Sequence, residues 1–152
     1  MRTIVLLIAL ILAGGMAYIR LAPSDPARWN QALPGEMDFY QRPANVVFEA
    51  AGGAGARLVL SDAASPRDIL SRLNETAAAA PRTRRLAGTP DEGRITWVTR
   101  SAVFGFPDYT TAEIVTDGHI AVVGVFARQR FGRGDFGVNA ARLKGWIGQL
   151  TP

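Results

Sequence analysis

Residues 4–19 form an uninterrupted run of sixteen residues without a charge, IVLLIALILAGGMAYI, behind only Met1, Arg2 and Thr3. A segment this apolar cannot lie on the surface of a water-soluble domain, so residues 1–21 separate from whatever the rest of the chain folds into. As a helix rising about 1.5 Å per residue, the run covers roughly 24 Å, short of a ~30 Å hydrocarbon core. Arg20 can snorkel and let Leu21 and Ala22 lengthen it to about nineteen positions. Two readings stay open: a membrane anchor, which is preferred, and a cleaved signal peptide with Gly15-Met16-Ala17 at its cleavage subsites. Both send the body across the membrane, because Arg2 and the terminal amine stay cytoplasmic, while Arg20 and Arg28 count for little beside Asp25. The expectation is a single-pass inner (plasma) membrane protein with a periplasmic, extracytoplasmic body.

With the leader set aside, roughly 130 residues remain, one domain's worth. The chain is 48% apolar and 20% charged, far from the composition that leaves chains disordered. It contains no cysteine and a single histidine, His119. Disulfides, thiol nucleophiles, thiolate zinc sites and any site needing two imidazoles are therefore excluded, and neither a metal nor a cofactor is expected. The formal charge of +4 falls to +2 once Arg2 and Arg20 are removed, with 15 basic residues facing 13 acidic ones. That near balance argues against a nucleic-acid partner, which usually requires a basic stripe in larger excess.

Residues 22–45 are broken by Pro23, Pro26, Pro34 and Pro43 and read as a tether or arm. Trp29, Phe39 and Tyr40 imply that this arm docks somewhere. Residues 46–152 form the single globular domain. Its first part, Val46-Val47-Phe48 followed by Gly52-Gly53-Ala54-Gly55 and then residues 57–60, suggests a loose hairpin. Ser65 as cap, Pro66 at the first helical position and Asp68 at the third then start a helix running to about Ala80. Its inward face is Ile69, Leu73, Thr76, Ala77 and Ala80. Residues 82–87 and 94–104 read as strands around a turn-rich connection. Residues 109–116 and 119–128 flank Asp117-Gly118, a two-residue hairpin signal. A last helix carries Phe136, Ala140, Leu143, Ile147 and Leu150 along one face. This order predicts an α+β two-layer fold: an antiparallel sheet of about four to six strands, two helices on one face, and one N-terminal transmembrane helix before it.

Three motif matches carry little. Gly132-Arg133-Gly134-Asp135-Phe136-Gly137 spells a dinucleotide fingerprint, but a second parallel strand and an acidic ribose ligand do not follow. The Arg133-Gly134-Asp135 tripeptide inside it matches an adhesion motif by letter only. The sequon at Asn74 falls in the middle of a helix, a poor place for a glycan acceptor.

The Phe104-Gly105-Phe106-Pro107-Asp108 segment, a strand ending in Arg128, the connection to Asn139 through Gly132, Asp135 and Gly137, and Arg142 inside the final helix together resemble the domain-of-unknown-function 1499 family. The resemblance spans roughly residues 61–150 and is strongest from Trp97 onward; the stretch from Arg20 to Trp29 is similar to membrane-anchored members. Where members carry a serine-rich strand end, this chain reads Ala127-Arg128-Gln129-Arg130. The resemblance implies an envelope or plastid setting and assigns no catalytic residue.

The chemistry-bearing residues concentrate in the same region: Asp108, Arg128, Arg130, Arg133, Asp135, Asn139 and Arg142. Two readings remain open. The first is an ion-pair network in which Asp135 caps the last helix, Asp108 accepts from Arg130 or Arg142, and Asn139 satisfies nearby backbone. The second is a site for a phosphate, sulfate or lipid headgroup, because four arginines face two carboxylates beside a helix start. The functional expectation is a non-catalytic binding or scaffolding module of the envelope, recognising an anionic ligand or an envelope protein. The alternative is an envelope hydrolase or isomerase using His119 with Glu113 or Asp117.

Overall fold

Local chemistry fixes where the helices begin. The structure, a computed structural model, describes residues 1–60, 65–117, 120–132 and 134–151. Helix α1, Arg2–Leu21, buries none of its residues and is long and apolar enough to cross a membrane. A short helix α2, Pro26–Trp29, is capped by Asp25, whose Oδ1 accepts the Ala27 N–H at 2.9 Å. In helix α3, Pro66–Ala79, the Ser65 Oγ accepts the Asp68 N–H at 3.2 Å and donates to Asp68 Oδ2 at 2.9 Å. That reciprocal pair, with Pro66 next in line, is the expected helix start. The buried face is Ile69, Leu70, Leu73 and Ala77. Thr76 turns instead to the backbone, donating to Arg72 O at 3.0 Å.

Six antiparallel strands follow in two blocks: β1 (Val47–Ala50) and β2 (Gly53–Leu58) before α3, then β3 (Thr83–Thr89), β4 (Arg94–Arg100), β5 (Pro107–Asp117) and β6 (Ile120–Gln129) after it. Their order across the sheet is β1-β2-β6-β5-β4-β3. The loose hairpin read in the sequence is the β1–β2 pair, and Gly53-Ala54-Gly55 of its glycine-rich stretch form the first half of β2. A Cβ at Gly53 would stand 1.9 Å from Ala127 O, and one at Gly55 would strike the Phe48 ring at 2.5 Å. Glycine is there for close approach, not for a turn. Asp117 pairs with Ile120 and Thr116 with Ala121, so β5 runs one residue further, and its partners lie two residues later, than an Asp117-Gly118 turn predicts; Gly118 and His119 lie outside the described residues.

β4 ends at Arg100, earlier than expected. The Ser101 N–H donates to Phe106 O at 2.9 Å, and Ser101 Oγ accepts the Phe106 N–H at 2.9 Å, so the serine closes a turn within the stretch that the sequence reads as strand. Helix α4, Val138–Leu150, buries Asn139, Leu143, Trp146, Ile147 and Leu150. Phe136 is not on that face. It adopts φ +50 ahead of the helix and is fully exposed, while Trp146 meets Trp97 edge-on at 5.8 Å in the core.

Helices α3 and α4 cover one face of the sheet, closing the main core over Ile95, Trp97, Ala112, Val123, Val125 and Ala127. The opposite face is covered as well. There the arm lays Met37 and Phe39 on Val122 and Phe126, and Trp29 on Val98 and Tyr109.

Candidate functional site

Strand alternation divides the expected cluster. Asp108 pairs with Gln129 and Tyr109 with Arg128, and successive side chains point to opposite faces. Asp108 therefore looks toward the helices, whereas Tyr109, Arg128 and Arg130 look toward the arm.

On the helix side, Arg142 Nη2 donates to Asp108 Oδ2 at 2.9 Å, and its Nη1 donates to Asn139 Oδ1 at 2.6 Å. The pair is nearly enclosed, with side-chain exposures of 12% for Arg142 and 14% for Asp108. Asp135 stands two residues ahead of Gly137, whose φ of +79 opens α4. Its Oδ1 accepts the Gly137 N–H at 3.0 Å and its Oδ2 the Asn139 N–H at 2.9 Å. Two of the backbone donors that a helix start leaves unsatisfied are thereby answered. Asn139 is fully buried, and its Nδ2 has no hydrogen-bond partner.

The two carboxyls titrate in opposite directions. Burial pushes Asp108 above the ordinary aspartate value, against the opposing pull of Arg142. Burial also works to raise Asp135, but the N–H donors of Asn139 and Gly137 outweigh it and hold that carboxyl below the usual range. Arg128 is lowered from its ordinary value by burial.

On the other face the charged side chains fasten the arm. Arg128 Nη2 donates to Trp29 O at 2.6 Å, with its guanidinium 5.6 Å from the centre of the indole. Arg130 Nη1 donates to Pro23 O at 2.7 Å and reaches the Tyr109 hydroxyl at 3.4 Å; that hydroxyl also bonds to Ser24 Oγ at 2.9 Å. Glu113, which the sequence offered only as a partner for His119, accepts the Leu33 N–H on Oε2 at 2.7 Å and pairs with Arg94 through Oε1. Pro23, Trp29 and Leu33 are thus tied to β5 and β6 one after another. Only the alternation of β5, once its register was known, could have revealed this use of Glu113.

Arg133 and His119 lie outside the described residues. Of the arginines that are described, Arg142 is answered by a carboxylate, and Arg128 and Arg130 by backbone carbonyls. Between the two loops at this end lies a cavity of about 430 Å³, lined among others by Phe106, Asp108, Gln129, Phe131, Asp135 and Phe136. No group of three or more His, Cys, Asp or Glu able to hold a metal ion occurs among the described residues.

Fold and site define a class: an α+β domain following an N-terminal apolar helix, with the intervening arm strapped across the free face of its sheet. The chain belongs to the family described as Protein of unknown function (DUF1499), which it matches over residues 19–150. The match begins in the last turn of α1 and so takes in the whole arm, joining the stretch from Arg20 to Trp29 to the resemblance over residues 61–150. No curated protein and no solved structure matches the chain.

Proposed function

We propose that this chain is a membrane-tethered, non-catalytic binding or scaffolding module, with its α+β body on the extracytoplasmic side of the inner membrane. The observation that carries the reading is the joint between anchor and body. Arg20 Nη2 donates to Val103 O at 2.8 Å, and the Tyr18 ring meets Phe131 edge-on at 6.4 Å. With the arm bound through Pro23, Trp29 and Leu33, the body is held against the bilayer instead of swinging on a free linker. A fixed orientation suits a surface that must present one end to lipid and another to a partner. Arg2 at the far end of α1 supports a cytoplasmic N-terminus, and an anionic ligand fits the arginine-dominated basic side chains.

The natural absence of cysteine makes the test direct. Asp91→Cys, in the β3–β4 turn, is expected to react with a membrane-impermeant maleimide in spheroplasts before lysis, and the chain to stay with membranes through a high-salt wash. Labelling only after lysis, or release by salt, contradicts the reading.

A further inference from the structure

The end of the sheet that meets α1 carries arginines with no acidic neighbour. Arg20 in the last turn of α1, Arg82 just before β3 and Arg100 at the end of β4 line an open basin of about 460 Å³ together with Ser101, Ala102 and Gly105. No carboxylate lines this basin, and among the described residues none of the three arginines forms a salt bridge. Each gives a donor to a backbone carbonyl: Arg20 to Val103 O at 2.8 Å, Arg82 Nε to Arg100 O at 3.2 Å, and Arg100 Nη1 to Gly105 O at 2.9 Å. A guanidinium has five N–H donors. These single bonds hold the three heads in place and leave most of their donors for a ligand. Three adjacent cations without a counter-charge repel one another, and the group that relieves this is an anion with several acceptor oxygens.

Depth selects which anion. Arg20 ends the apolar run of α1, and Tyr18 lies just before it, the residue types that mark a membrane–water interface. Exposed apolar side chains gather at the same end. Of the seven large apolar residues exposed after α1 among the described residues, four lie at this end, Val103, Phe104 and Phe136 on its loops and Val138 at the start of α4, each at least 50% exposed. Aromatic rings link the anchor to that edge, from Tyr18 to Phe131 at 6.4 Å, on to Phe106 at 6.1 Å and to Phe104 at 5.9 Å. A basic basin beside an apolar rim, at the exit of a spanning helix, matches the layering of a phospholipid, with phosphate above and acyl chain below.

We propose that the basin formed by Arg20, Arg82 and Arg100 binds the phosphate of an anionic phospholipid, with Val103 and Phe104 seated at the top of the acyl layer. This rests on α1 being a membrane anchor and names the ligand class of the module. The binding group is distinct from the Asp108–Arg142 network, where the charges already answer each other.

The test uses the full chain, delipidated in a mild neutral detergent and titrated with phosphatidylglycerol or phosphatidylcholine, with bound lipid counted by native mass spectrometry. Saturation at one phosphatidylglycerol per chain, with phosphatidylcholine not retained, is expected. Arg82 sits in the left-handed region at φ +56, so Arg82→Gly relieves its backbone while removing one cation and keeps the fold. It is expected to weaken phosphatidylglycerol binding about fivefold, and Arg82→Gly with Arg100→Ala at least tenfold. Arg67→Ala removes the same charge at the far end of the sheet, where Arg67 pairs with Asp91, and leaves binding unchanged. Equal retention of the two lipids overturns the proposal, as does equal weakening by Arg67→Ala and Arg82→Gly. Displacement of the lipid by millimolar inorganic phosphate assigns the basin to a free oxyanion and also overturns it. Flotation with vesicles separates the two claims: failure to float with either lipid removes the anchor, while flotation without selective lipid retention removes the headgroup site alone.

Discussion

The indole of Trp29 lies flat on the phenol ring of Tyr109, with centroids 3.8 Å apart and planes 8° from parallel. Stacking joins the arm to the centre of the sheet, and Arg128 seals it from the side by holding Trp29 O while lying over the ring. Val98 beneath the pair is almost fully buried, so the arm acts as part of the core. Trp29→Ala is expected to lower unfolding stability by about 3 kcal/mol, the usual cost of truncating a buried tryptophan. Denaturant melts followed by near-ultraviolet circular dichroism check this. A loss under 1 kcal/mol would mean that the arm rests on the sheet without supporting it.

Asp108 and Arg142 make the opposite case, in which polar groups are buried together. Removing the carboxylate leaves a guanidinium enclosed with only Asn139 to answer it, and breaking such a pair costs about 3–5 kcal/mol. Asp108→Ala should therefore destabilise by that amount. The joint replacement Asp108→Leu with Arg142→Met should recover most of it, because an apolar pair of similar volume carries no desolvation cost. A double-mutant cycle on unfolding free energy measures both. Additive losses would show that the two side chains act independently.

How far the sequence revealed this arrangement depends on the residue. The start of α3 was readable because Ser65, Pro66 and Asp68 each do a local job that needs no tertiary partner. The long central pair of strands was readable from the turn signal between them, although the pairing runs on to Asp117 and Ile120. Alternation could not show that Thr96 and Val98 are as buried as Ile95 and Trp97, since what covers the second face is an arm more than fifty residues upstream. The β1–β2 hairpin was legible but not the role of its glycines, because their reason, the close approach of Ala127 O and of Phe48, is tertiary. The Arg/Asp cluster was found as a set of residues but not as two groups. Arg128 and Arg130 share a face and Asp108 occupies the other, a division that appears only with the β5–β6 register. Arg20, Arg82 and Arg100 are scattered along the chain; their one local clue was that Arg20 closes the apolar run.

Gly124 shows how closely the arm is fitted. It lies in β6 opposite Glu113, and a Cβ there would come within 2.9 Å of the Leu33 methyl and 3.0 Å of the Phe39 ring. Gly124→Val improves strand propensity, so any loss must come from the displaced arm. Hydrogen exchange is the appropriate measurement. The Leu33 amide, bonded to Glu113 in the native chain, should exchange at least tenfold faster in the variant, while amides in α3 keep their protection. Uniform acceleration would indicate global destabilisation instead of release of the arm.

The Asp135 carboxyl predicts a pH dependence with a definite sign. Its folded pKa lies below the ordinary value, since the N–H donors of Gly137 and Asn139 outweigh the effect of burial. A group depressed on folding adds stability above its unfolded pKa, about 3.9 for aspartate, and loses that contribution as pH falls through the lower folded value. Asp108 works the other way. Burial raises its pKa, so its contribution is present below the unfolded value and declines as pH rises through the folded one. Comparing Asp135→Asn with the parent reads the first effect together with a smaller one, the loss of the charge repulsion by which Asp135 helps to raise Asp108. At pH 7 the variant should be less stable by about 1 kcal/mol, as for loss of a helix-start acceptor. The gap should close as pH is lowered below about 3.9, where the parent's carboxyl is itself losing its charge. Urea melts of both chains between pH 3 and pH 7 measure it; a gap that stays constant over that interval would show that the contribution of Asp135 does not depend on its charge.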